Sequence, residues 1–209
     1  MVTRLLHQIS IWIILLPLIT GLWFSKKLSH KSLIILLLVI VATPPQLSSD
    51  FFPEKLSNVL YNIYTPIEFF ILYYFFKDRI YSNIGKKVFK SSFITYFVTS
   101  TVILAIQQNI EARFISEWVT VNNLIYLFWI VVYFRDQLLL PQMELSFNEP
   151  FIWCLLGIFI YASCTSLHFI LYETIQNSYL KIFQSSFNIL LYVLFTISLI
   201  KDEKLKTEN

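Results

Sequence analysis

The sequence predicts an all-α, polytopic membrane protein: seven transmembrane helices forming a single domain over residues 1–209. Three observations carry this prediction. Charged residues make up 14% of the chain and hydrophobic residues 56%, whereas soluble domains carry about 25% charged residues. Apolar stretches near the length a helix needs to cross the hydrocarbon core recur along nearly the whole chain. The other way of crossing, a closed β-barrel, needs ten-residue segments of alternating polarity, and the sequence has no such pattern. With 3 glycines and 18% aromatic residues, no collagenous, disordered or disulfide-rich class fits. The spans leave no length for a separate soluble domain.

The first helix is predicted over 7–24. Its positive charge lies mainly after it, at Lys26-Lys27, and no small-residue cleavage site follows, so it reads as a retained helix rather than a signal peptide. The second covers 31–46, where Pro44-Pro45 is expected to stop it. The third, 57–77, contains the long apolar run Val59–Phe76, with Glu68 in its middle. The fourth covers 88–107 and the fifth 117–134. The sixth, 150–172, contains Cys154 and Cys164, too far apart on one helix to pair. The seventh covers 180–200.

Orientation follows from lysine and arginine in the short loops. Lys26, Lys27 and Lys31 flank the first loop; Lys77, Arg79, Lys86, Lys87 and Lys90 flank the third. Arg135 follows the fifth helix, and Lys201, Lys204 and Lys206 lie in the tail. In the alternate loops Lys55 is set against Asp50 and Glu54, and Arg113 against Glu111. The N-terminus is therefore expected outside and the C-terminus in the cytoplasm, Arg4 being outweighed. The net charge of +3 is mostly this topology signal. It gives no case for nucleic-acid binding and some attraction to anionic lipid headgroups.

In that orientation the inner halves of the third, fifth, sixth and seventh helices are almost wholly apolar, and the outer halves are not. Asn58, Tyr61/Asn62, Thr65 and Glu68 recur at helical spacing, and Leu72 ends the stripe. Similar stripes are Tyr161, Thr165, His168 and Tyr172; Gln184, Asn188 and Tyr192; and Asn122, Tyr126, Trp129 and Tyr133. Gln107 and Gln108 close the outer end of the fourth helix. Helix rise puts Asn62, Asn122, His168 and Gln184 roughly 6–8 Å below the outer boundary, Asn188 roughly 12 Å and Glu68 roughly 16 Å.

Two readings are open for these residues. They form an outward-facing polar funnel with Glu68 at its floor, or the amides are interhelical hydrogen-bond glue. An ionisable group at that depth is costly and points to function, and glue does not require a carboxylate. Pro66 is expected to kink the third helix and free the Asn62 carbonyl. His168 lies roughly 10 Å shallower than Glu68, so the two are not expected to share a metal. Glu117 and Glu173 fall at helix ends; His7 and His30 are flank residues.

A seven-helix chain with an outward N-terminus shares its topology with the microbial rhodopsins. It lacks their mid-helix retinal lysine, since Lys181 and Lys201 lie at the ends of the last helix. Pro45-Gln46 and Pro141-Gln142 are similar to the motifs of PQ-loop and SWEET transporters. The helices before the two pairs run in opposite directions here, so the match reads as chance. The third helix, Asn62-Ile63-Tyr64-Thr65-Pro66-Ile67-Glu68, resembles a group of uncharacterised seven-helix bacterial membrane proteins with an Asn-x-Tyr-x-x-x-Glu pattern. Some of these look like sensor modules, alone or beside histidine kinases. The resemblance covers one helix and implies a bacterial inner-membrane protein with a sensing role.

The expectation is thus a non-enzymatic membrane receptor or sensor. Its ligand residues would be Glu68, Asn62, Tyr61, Thr65, Asn122, His168, Asn188 and Gln184, with a cytoplasmic signalling partner at the inner loop 77–90. No cofactor or metal is expected. The first alternative is a small-solute or proton-coupled transporter or channel. The second is an intramembrane enzyme, for which no nucleophile elbow, paired aspartates, His-x-x-x-His or glycine-rich phosphate loop is present.

Overall fold

The computed structural model describes residues 2–107, 111, 113–139, 147–172 and 178–207. Gln108, Glu173 and the Pro141-Gln142 pair lie outside them, as do the side chains of Tyr172, Lys181 and Lys206. The described regular structure is entirely helical: α1 Val2–Trp12, α2 Leu15–Phe24, α3 His30–Phe51, α4 Glu54–Lys77, α5 Asn83–Ile106, α6 Ser116–Leu139, α7 Pro150–Tyr172 and α8 Ser178–Thr207. A single 3₁₀ turn, Ser25–Lys27, follows α2. Together α1 and α2 make one interrupted span, which leaves seven helices long and apolar enough to cross a membrane. Large apolar side chains such as Trp23, Ile94, Ile106 and Val131 are exposed around the bundle. That perimeter suggests a multi-pass membrane protein.

Proline accounts for the main departures from the expected boundaries. The first helix was expected to be continuous, but it breaks at Ile13-Ile14. Pro17 has no N–H for the Ile13 carbonyl and its ring crowds it, so that carbonyl accepts from Leu16 N at 3.0 Å instead. The second helix does not stop at Pro44-Pro45 and runs on to Phe51. Neighbouring helices can support a proline-weakened turn, and here α3 packs along α4, with Pro45 buried. Thr43 Oγ1 donates to the Val39 carbonyl at 2.7 Å beside the weakened turn, and Ser48 Oγ lies 2.6 Å from Ser57 Oγ of α4. Only Phe52 and Pro53 then separate α3 from α4.

The remaining helices differ from expectation in length. α5 begins at Asn83 rather than 88, because Ser82 caps it by accepting from Gly85 N at 2.9 Å. α6 continues through Arg135, Asp136 and Gln137, and α8 through Lys201–Lys204. α7 keeps the predicted bounds, with Pro150 at its first position.

The core runs through the whole bundle, and its aromatic part lies between α4, α5 and α6. Phe69 stacks on Tyr96 with ring centroids 3.6 Å apart, and Trp129 lies within 5.8 Å of Phe69, Tyr73, Phe76, Phe89 and Tyr126. The indole N–H groups of Trp129 and Trp118 donate to Ser92 Oγ and Ser100 Oγ at 2.7 and 2.9 Å, tying α6 to α5. The polar stripes of α4 and α8 converge beside this block, toward the end where α4 and α8 begin.

Candidate functional site

A cavity of about 360 Å³ opens at the N-terminal end of the bundle. Its wall draws on α1, α3, α4, α7 and α8, on Val119 of α6 and on Phe114 in the segment before α6. Exposed His7 and Ser49 mark its mouth. Deeper in, its lining includes Ala42, Tyr64, Glu68, Tyr161, Leu191 and Tyr192. All six also border a smaller void of about 20 Å³, whose other walls include Leu38, Leu72 and Phe195. Glu68 thus stands at the seam between this cavity and the apolar core.

Of the α4 stripe, Asn58, Tyr61, Thr65 and Glu68 border this cavity, as does Tyr64, which was not part of it. Tyr64 lies one turn before Glu68 and donates its hydroxyl to Glu68 Oε1 at 3.0 Å. Thr65 donates to the Tyr61 carbonyl at 2.9 Å, the usual back-bond of a helical threonine. α4 runs unbroken through Pro66. From α8, Gln184, Ser185, Asn188 and Tyr192 border the cavity, and from α7, Tyr161 and Phe169.

Of the eight predicted ligand residues, five border the cavity: Glu68, Tyr61, Thr65, Asn188 and Gln184. Three lie elsewhere. Asn62 falls on the neighbouring face of α4, where Nδ2 donates to the Arg113 carbonyl and Oδ1 accepts from Ile115 N, both at 3.0 Å. Asn122 is fully buried and donates to the Thr65 carbonyl at 3.0 Å, joining α6 to α4. His168 is buried beside Phe169. These placements follow from helix rotation, which spacing within one helix cannot fix.

Asn62 has an indirect role in the wall. By holding residues 113–115 it positions Phe114, which meets Tyr61 edge-on at 5.6 Å and borders the cavity. Asn62→Ala is expected to cost about 1–3 kcal/mol, because the buried Ile115 N–H loses its acceptor. Thermal unfolding and amide exchange at Ile115 check this, and unchanged protection there would refute it.

Sequence reasoning missed the roof of the site. The Ser10 carbonyl, next to the α1–α2 break, accepts from two amide side chains: Gln46 Nε2 at 3.0 Å and Asn188 Nδ2 at 2.9 Å. Three spans meet at that oxygen. Pro17 was the available signal, since it breaks the span at Ile13-Ile14, and the N–H that an unbroken helix would bring to the Ser10 carbonyl is that of Ile14. His7, set aside as a flank residue, borders the cavity where His168 does not. Among the described residues no group of three or more His, Cys, Asp or Glu side chains could hold a metal ion.

Most of the basic residues lie at the opposite end, Arg4, Lys55 and Arg113 being at the cavity end. Lys27 pairs with Glu203 at 2.7 Å and Arg79 with Glu149 at 3.4 Å. Two buried acids hold loop backbone there: Asp202 accepts from Ser29 N at 2.5 Å, and Asp136 from Tyr81 N and Ser82 N, each at 2.9 Å.

Fold and site together define a class: a seven-helix bundle, apolar enough to span a membrane, with a polar cavity at one end and an aromatic core beyond it. No protein-family model matches the chain, and no curated protein or solved structure is detectably similar to it.

Proposed function

We propose that this chain is a non-enzymatic integral membrane receptor or sensor, set in a bacterial inner membrane with its N-terminus outside. A small ligand enters the cavity from the outer side. The resulting helix movement is read by a cytoplasmic partner at the basic segment 77–90. The observation that carries this reading is the cavity of about 360 Å³, lined by polar side chains from several helices and backed by the Phe69–Trp129 aromatic block. The same block argues against the transporter reading. Alternating access needs a polar path on both sides of the midplane, and Leu72, Phe76 and Trp129 lie packed beyond Glu68.

The test is ligand-dependent unfolding of the purified chain in nanodiscs, across cations, anions, neutral metabolites and lipids. A ligand at 100 times its Kd adds about 2.7 kcal/mol to the folded state, a shift of several degrees. It should vanish in Asn58→Trp, which fills the cavity wall, and should change amide exchange in residues 77–90. The reading is wrong if no compound of any class shifts the transition.

A further inference from the structure

Charge is the first feature of the cavity that selects a ligand. Glu68 is the only acid on its wall among the described residues, and no lysine or arginine lines it. The imidazole of His7 stands at the exposed mouth. Arg113, close in sequence to Phe114, is engaged with Glu117 and Gln107. A lone carboxylate in an apolar surround is costly without a counter-ion, and an anionic ligand would add repulsion.

Hydrogen-bonding sense is the second. The Ser10 carbonyl fixes how the amides of Gln46 and Asn188 are turned, since only their N–H ends can donate to it. Each spends an N–H there and keeps its carbonyl oxygen as an acceptor. The Thr65 hydroxyl donates to its own helix and the Tyr64 hydroxyl to Glu68. These two oxygens, with the Glu68 carboxylate, give the cavity acceptors that a cation can use, beside the donors that its other amides and tyrosine hydroxyls keep.

The third is the wall itself. Tyr64, Tyr161 and Tyr192 line the deep end together with Glu68, and Tyr61, Phe114 and Phe169 are also on the wall. Aromatic faces attract cations, and organic ammonium ions most usefully, because their hydration is weak enough to exchange for rings. A bare metal ion is a poor fit. Hard cations need six or more oxygens at short range, and a space of about 360 Å³ with a single carboxylate does not supply that cage.

We propose that the cavity binds an organic ammonium ion, with the Glu68 carboxylate as its counter-ion, tyrosine rings as its wall and the amide oxygens of Gln46 and Asn188 as acceptors for its N–H or polarised C–H groups. This rests on the ligand-cavity reading above and narrows it to one chemical class.

The experiment uses the full chain in nanodiscs of neutral lipid and four probes: choline, tetramethylammonium, the neutral choline isostere 3,3-dimethylbutan-1-ol, and pivalate as an anion of similar size. Choline and tetramethylammonium should raise the unfolding temperature and compete with one another. The isostere should bind at least tenfold more weakly, and pivalate should have no effect. Glu68→Gln should lose at least tenfold in choline affinity, while Glu68→Asp, which keeps the charge, retains part of it. The wild-type comparison of choline with its isostere decides the matter even where a variant does not fold. Equal binding of the two, undiminished affinity in Glu68→Gln, or no binding of either ammonium ion would overturn the proposal. If the ammonium ions fail while another class binds in the broad screen, only the ligand class falls. If nothing binds in that screen, the cavity reading falls with it.

Discussion

Replacing Asp136 with alanine is expected to lower the stability of the bundle by about 3 kcal/mol. The carboxylate has no exposed surface although it lies near the end of α6, and it accepts from Tyr81 N, Ser82 N and Ser82 Oγ, the last at 2.6 Å. Bonds to a charged acceptor are worth about 1.5–3 kcal/mol each, and unsatisfied buried donors cost about 1–3. The full sum is not expected, because a loop at the bundle's end can open toward water. Arg135, 3.9 Å away and 43% exposed, adds little. The loss should include the α5 cap, since Ser82 holds Gly85 N with the same hydroxyl it gives to Asp136. Asp136→Asn keeps an acceptor and the shape, so it should lose clearly less. Gly85→Ala should act in the same direction, its Cβ falling 2.7 Å from Ser82 Oγ and 3.0 Å from Asp136 Oδ2. Chemical unfolding in detergent, with amide exchange over 81–86, measures all three. An Asp136→Ala protein as stable as Asp136→Asn would remove the argument. Asp136 ties α6 to the segment 77–90, so the same variant should loosen the proposed partner surface without touching the cavity.

Asp136 also shows where the sequence stops being legible. The seven spans could be read because lipid-length apolar runs leave few alternatives. The stripe from Asn58 to Glu68 could be read because helical spacing is a property of one helix. What could not be read depends on two helices at once. Nothing in the spacing of Asn62, Asn122 and His168 says how far each helix is rotated, and the structure turns Asn62 toward residues 113–115 and buries the other two. An acid such as Asp136 at a predicted helix end resembles a solvated charge until its partner loop is known. Proline was misjudged in both directions. Pro44-Pro45 leaves α3 intact because α4 supports it, while Pro17 breaks the first span and exposes the Ser10 carbonyl that two amides then claim.

Whether Glu68 is kept for function or for packing predicts opposite signs in one measurement. The double substitution Glu68→Leu with Tyr64→Phe removes the carboxylate together with the hydroxyl that donates to it, so no polar partner is orphaned. Leucine matches the surroundings on the core side of the seam, where Leu38, Leu72 and Phe195 border the small void. If Glu68 is kept for packing, losing it should destabilise the bundle. If it is a ligand site held at a cost to stability, the ligand-free double variant should be more stable than the wild type. Replacing buried charged groups with apolar ones of similar size commonly gains about 1–4 kcal/mol, and stability gained at a binding site is the usual counterpart of lost function. The lower end of that range applies here, because one side of Glu68 faces the cavity and keeps some hydration. A rise of about 1–2 kcal/mol is therefore expected in ligand-free protein. Tyr64→Phe alone should fall below the wild type, since it leaves the carboxylate without its hydroxyl donor. Unfolding of the wild type and both variants in one nanodisc preparation gives the answer. A double variant less stable than the wild type would return Glu68 to a packing role and leave the cavity without its charge-based selectivity.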